Sequence, residues 1–447
     1  VFKPFFFSQA ALITLSIFFF AGCQPQAAEP APPEPSTGNV IFIHPDGYSL
    51  QGWQAYRVLR YGPDGNTAWD LLPEVGIYRA HVRNSLSPTS NAGATIHGYG
   101  VKVGRNSYGL DEGQTITTPS GKNVSIMTEA IQAGIRSGIV NSGHLAEPGT
   151  GAMLAQVEKR SNQSGIVRQF LESGADIILG GGEILFLPQG ITGVHGQEGV
   201  REDNLNLVTE FQKAGYSVVY TLEELGALPD DTPKVLGLFA ANNTYNDLTE
   251  EALREANLPT YNPSQPTVAE MTGHALRFLS HGDRQFFLMV EEEGTDNFGN
   301  ANNASGLFEA YRRADDCIAV GRDFISNRHD TLLLTAADSD GSGMQLIAIE
   351  SMYGDFGLQN GNVPPASSVG APLDGVNGAR SRPFTSAPDR HGKQFQFAVA
   401  WPTRADVPGG VLARAEGFRA DALPLNVDNT QLYPLIYQVL FGQPPSP

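Results

Sequence analysis

Residues 285–291 read QFFLMVE: five apolar residues in succession, closed by the acid Glu291. An apolar run this short and unbroken, rich in Phe and Val, reads as a strand buried on both faces of a sheet. Four further runs have the same character: NVIFIH (39–44), RSGIVNS (136–142), ADIILGG (175–181) and TLLLTAA (331–337). Helix-length amphipathic stretches separate them, so the chain from residue 39 onward is expected to be an α/β domain built on a large, mostly parallel sheet.

Three of these strands end in acids. Asp46 follows the first in HPDG (44–47), Glu291 closes the fourth, and Asp338 follows the fifth. A Pro-Asp-Gly after a strand is commonly a turn. Ligand sites in open α/β sheets, however, lie at the carboxyl ends of strands. Three carboxylates converging on one sheet edge would repel one another unless cations filled the gap.

Composition narrows the class of partner. The 447 residues carry a formal net charge of -18, which argues against a nucleic-acid binder working through a basic surface. An anionic substrate would instead need local neutralisation, and cations held by carboxylates would supply it.

The N-terminus reads as an address. Lys3 precedes the apolar run FFFSQAALITLSIFFF, which ends in Ala21-Gly22-Cys23. The small pair before a Cys is similar to a bacterial lipoprotein signal over residues 1–23, with Cys23 as the lipidated first mature residue. Left uncleaved, the same run would be a short membrane anchor. Either way the expectation is an exported, membrane-tethered body: a periplasmic or cell-surface lipoprotein of a bacterium. Residues 24–38, QPQAAEPAPPEPSTG, read as an extended linker, leaving 39–447 as a single catalytic domain with insertions. Cys317 is then the one thiol of the folded part, so no intrachain disulfide forms there, and its helical context predicts a buried core thiol.

The other chemical constellation is SLSPTSNAGATIHGYGVK (85–102). Ala92, Gly93, Ala94 and Thr95 are small enough for a helix to begin tightly against the sheet. This puts Ser90 at or near its N-cap, facing the positive end of the helix and any anion bound there. An ordinary capping serine is the competing reading.

With GVKVGRNSYGLD (100–111), GKNVSIMTEAIQAGIRSGIVNSGHLAEPGTGAM (121–153), FFLMVEEEGTDNFGNANNA (286–304), DTLLLTAADSDG (330–341) and DNTQLYPLIYQVLFG (428–442), that segment resembles the alkaline phosphatase family in collinear order. The resemblance covers nearly the whole chain after the linker. It implies a three-layer sandwich, zinc and magnesium as cofactors, a small phosphate ester as substrate and, the family being commonly dimeric, a homodimer. By its motifs Ser90 matches the serine that attacks phosphorus, and Arg160 in QVEKRSN the arginine that clamps two phosphate oxygens. Asp46 matches the aspartate shared between metal positions and Glu291 the carboxylate of the magnesium position. Asp296 and His391 match ligands of one zinc, and Asp338 a ligand of the other.

The departures are specific. Asn300 and Ser339 stand where the family has zinc-binding histidines. Glu147 stands at the family's threonine of the magnesium site, with Thr150 as its rival, and Thr89 replaces the aspartate before the nucleophile. Asn and Ser oxygens suit magnesium or calcium better than zinc. His44, His97 and His144 have no family match and are expected to support structure. The leading expectation is therefore a phosphomonoester hydrolase with altered metal preference. A phosphate-binding relative without turnover and a phosphodiesterase are the alternatives. A sulfatase is disfavoured, because the Cys/Ser-x-Pro-x-Arg sequence is absent around Ser90.

Overall fold

The apolar runs become the centre of a ten-stranded sheet in the computed structural model, which describes residues 35–282, 284–349 and 358–447. The leader, Cys23 and residues 24–34 of the linker lie outside the described residues. The strands are β1 (Asn39–Pro45), β2 (Glu74–Arg79), β3 (Arg136–His144), β4 (Ile177–Gly181), β5 (Ser217–Val219), β6 (Val235–Leu238), β7 (Phe286–Glu292), β8 (Thr331–Thr335), and two late strands, Leu412–Gly417 and Asn426–Asp428. Across the sheet they run Asn426–Asp428, β2, Leu412–Gly417, β8, β1, β7, β3, β4, β6, β5. The pairs among β8, β1, β7, β3, β4, β6 and β5 are all parallel, and Leu412–Gly417 runs antiparallel to β2 and β8.

The central strands are buried on both faces, as their unbroken apolar runs require: Phe286 to Val290 are wholly inaccessible. Each such side chain contributes about 1.5–3 kcal/mol on leaving water. Helices cover both faces of the sheet, among them Val268–Leu279 and the 22-residue Ala304–Ile325. On the latter Cys317 is fully buried with Sγ 3.3 Å from Thr272 Oγ1, and burial pushes its thiol up to about 12, so it is a core residue. Short strands from Gln345–Ala348 and from Leu373–Gly375 to Gln396–Ala400 add a small antiparallel sheet.

One consequence of this order positions the site. Strands β8, β1, β7 and β3 are neighbours and parallel, so the segments leaving their carboxyl ends emerge side by side. These segments carry Asp338, Asp46, Glu291 and Glu147.

A second acidic pair, Glu250 and Asp374, meets at the start of the helix Ala304–Ile325. Glu250 begins the helix Glu250–Ala256; its Oε1 accepts from the Ser305 N–H (3.0 Å) and its Oε2 has no partner among the described residues. Burial, and then repulsion by Asp374, push Glu250 up to about 8. A raised folded pKa means the native state holds the proton more tightly than the unfolded chain. Stability is therefore full below the unfolded carboxyl value and is lost as pH rises through about 8. Glu250→Gln should raise Tm at pH 8 by on the order of 2 °C and change it little at pH 4. Scanning calorimetry at the two pH values checks this, and equal shifts at both would contradict it.

Candidate metal centre

Asp46 is fixed at the tip of β1. Its N–H donates to Glu292 O (3.0 Å), and its own carbonyl accepts from Thr295 Oγ1 (2.6 Å). Gly47 then turns with φ +58, and a Cβ there would collide with Asp296 Oδ1, so only glycine lets these backbones approach. Asp296 lies on the first turn of the helix Gly294–Ala301, four residues before Asn300, hence on the same face. The Asn300 amide nitrogen donates to both Asp296 oxygens and to Asp406 Oδ1, each at 3.0 Å.

Asp338 is fully buried, its carboxyl raised by that burial and then by nearby Asp46, and Ser339 Oγ donates to Asp338 Oδ1 (3.3 Å). On β7, Glu291 sits opposite His44 of β1 and Asn141 of β3. Its Oε2 accepts from Asn141 Nδ2 (2.5 Å), the Thr150 N–H (2.9 Å) and Thr150 Oγ1 (3.3 Å). Thr150 is thus the residue of its segment that touches Glu291. Glu147 pairs with His144 Nε2 (2.9 Å) and with Arg160, on the side of the cluster near Glu293. Burial would raise the Glu147 carboxyl, but His144 and Arg160 outweigh it and hold it at about 2.

Helix α2 (Ser90–Tyr99) brings the candidate nucleophile. Thr89 is the N-cap, accepting from the Ala92 N–H, so Ser90 is the first helical residue, 5% exposed. Three residues on, a Cβ on Gly93 would collide with Asp338 Cβ. Ser90 and Gly93 share a helix face, so the side of α2 that carries Ser90 packs toward Asp338. Thr89 itself is tied to Arg105 O (2.6 Å), away from any ligand role.

Burial, together with repulsion from the other acids, pushes Asp46, Glu293, Asp296 and Asp338 well above the usual carboxylate range. Asp46 Oδ2, Glu291 Oε1, Glu293 Oε2, Asp338 Oδ2 and both ring nitrogens of His44 are buried without a hydrogen-bond partner among the described residues. Ligand atoms of His44, Asp46 and Glu291 all lie within 4.8 Å of one another, as do those of Asp46, Glu293 and Asp296. Buried acids left this way are costly without a countercharge, and divalent cations fit the donor set.

Two expectations change. His391 is exposed in a turn closed on Asp389, and neighbouring Arg390 pairs with Asp64 just beyond the far end of helix α1 (Leu50–Tyr61). The structure does not bring His391 to the buried acids; its exposed loop is docked at the far end of α1 by that ion pair. Asp406 lies where that third ligand was expected, held by Asn300 and by Ser87 Oγ, which donates to its carbonyl. Asp340 turns toward Ser49 and Gly343, so it does not stand in for a histidine at Ser339. Glu293, His44, Asp406 and Asn141 belong to the site and were missed. For His44 and Glu293 the signal was nearness in sequence: each lies two residues from Asp46 or Glu291, although Asp46 has already turned out of β1 and Glu293 opens the helix Gly294–Ala301.

Comparison with known proteins agrees with this geometry. The family model described as "Alkaline phosphatase" matches residues 37–357. Alkaline phosphatase 4 of Bacillus subtilis (strain 168) is 26% identical over 355 residues, covering 75% of this chain and 69% of the relative. The Escherichia coli (strain K12) alkaline phosphatase is 26% identical over 339 residues, covering 67% and 69%. The membrane-bound alkaline phosphatase of Bombyx mori is matched over 67% of this chain, but only 59% of its own length. Among solved structures, alkaline phosphatase from the Antarctic bacterium TAB5 superposes with a TM-score of 0.69 at 18% identity, over 91% of this chain and 99% of that one. The Thermus thermophilus enzyme gives 0.69 at 20% identity, over 92% and 93%.

Proposed function

This chain belongs to the alkaline phosphatase family, and from that premise we propose that it is a metal-dependent phosphomonoester hydrolase that works through a phosphoserine at Ser90. One observation carries the reading: unpaired, buried carboxylates of neighbouring strand ends converge beneath the first turn of the helix that presents Ser90.

Asp46, Glu291, Asp296 and Asp338 would hold the cations, with Glu293 and Asp406 alongside. Such cations, when bound, supply Lewis acidity that favours an ionised serine hydroxyl and offsets charge on the ester oxygens. The chain's own residues do the rest. The α2 N-terminus favours the phosphate anion. Arg160, partly exposed, is drawn toward the site by Glu147, Glu293 and Asp46, and its planar fork suits two phosphate oxygens. Ser90 Oγ forms a bond to phosphorus as the bond to the alcohol oxygen breaks, the alcohol leaving with a proton. Water then displaces Ser90 Oγ, releasing phosphate and restoring the hydroxyl.

Asn300, Ser339 and Asp406 offer oxygen or amide groups around two of the positions, which suits hard ions. A variant of the Antarctic enzyme is described with magnesium bound in its M3 site. Purified protein should therefore hydrolyse an aryl phosphate, faster with magnesium, manganese or calcium than with zinc alone. Absence of turnover with every one of these ions, alongside retained phosphate binding by calorimetry, would replace the hydrolase by a phosphate-binding relative.

A further inference from the structure

His44 is completely buried, and neither of its ring nitrogens has a hydrogen-bond partner among the described residues. Its ring is wedged edge-on between Phe42 (6.1 Å between centroids) and His97 (5.5 Å). Buried polar atoms are rarely left so, since an orphan loses its bonds to water without replacement. The neighbouring His97 shows the ordinary arrangement, its Nε2 2.5 Å from the Tyr78 hydroxyl.

The acids facing His44 share one asymmetry. Glu291 has Oε2 anchored by Asn141 and Thr150, while Oε1 is free and lies 3.7 Å from His44 Nδ1. Asp46 has Oδ1 anchored by the Gly47 N–H (3.0 Å), while Oδ2 is free. At 3.7 Å the imidazole is too far from Glu291 for a hydrogen bond. Each carboxylate is thus oriented through one oxygen and offers the other, the usual arrangement of supporting groups around metal ligands. Ligand atoms of all three residues fall within 4.8 Å of one another.

We propose that His44, Asp46 and Glu291 together ligate one divalent cation, giving this chain an imidazole ligand at the end of β1 where Asn300 and Ser339 supply none. The ligand class is a borderline ion such as manganese, cobalt or zinc, which accepts nitrogen and carboxylate oxygen together. The assignment rests on the metal-dependent reading above, but its test reads metal–nitrogen coupling and binding, so it fails or holds independently of turnover.

The test is pulsed electron paramagnetic resonance on full-length protein saturated with Mn(II). Wild type should show nitrogen modulation that changes isotope pattern when histidine alone carries 15N. His144→Gln should keep the signal, and His44→Gln should lose it while weakening binding at that position by at least about 10-fold. If His44→Gln does not fold, the labelled wild type still decides: no histidine nitrogen coupling overturns the proposal. A signal that survives in folded His44→Gln overturns it equally.

Discussion

Ser90→Ala is expected to lower kcat for an aryl phosphate by on the order of 10⁴-fold or more, because in the proposed reaction it removes the atom that bonds to phosphorus. The fold should barely register the change. Thr89 caps α2, and Ser90 makes no side-chain hydrogen bond that the helix depends on, so stability should shift by less than about 1 kcal/mol. Phosphate binding should persist, since Arg160 and the helix N-terminus remain. Acid quenching of wild type with 32P-labelled substrate should trap label on the protein, and the variant should trap none. Turnover within about 10-fold of wild type would show that water attacks phosphorus directly, leaving Ser90 as a binding group.

What was legible in the sequence follows from where each constraint is local. The central strands were readable because β1, β7 and β8 are buried on both faces, which forces continuous apolar runs that end sharply at Pro45, Glu292 and Thr335. The acids at those ends were readable because a strand end fixes their direction. Asp296 and Asn300 were named through the family resemblance, and the helix Gly294–Ala301 sets them four residues apart on one face. His391 was misplaced because loop docking depends on a distant ion pair, Arg390 with Asp64, 326 residues apart in the chain. Asp406 gave no signal for the same reason: a lone acid in a Pro- and Gly-rich loop looks like any solvated turn until Asn300 and Ser87 hold it. His44 was read as a supporting residue, because a histidine in a buried strand is ordinarily hydrogen-bonded and structural, and Glu293 was lost among three consecutive glutamates.

Chelation should expose what holds the acidic cluster together. Asp46, Glu293, Asp296 and Asp338 have their carboxyls raised by burial first and by one another second. For a metal-free chain the sign follows: stability is full below the unfolded carboxyl range near pH 4, where these groups are neutral in both states. It is lost as pH rises and the folded acids are forced to ionise. Cations binding only the native state oppose this, by about 4 kcal/mol per site at a thousand-fold excess over Kd. Removing them with a chelator at pH 8 should lower Tm by on the order of 10 °C. The same treatment at pH 5 should lower it much less, since protons then replace the cations, and added magnesium should restore the pH 8 value. A Tm indifferent to chelator at both pH values would mean that bound protons and Arg160 neutralise the cluster without metal. Neutralisation of that kind would leave the acids protonated in the working enzyme and the metal-dependent reading without its physical basis.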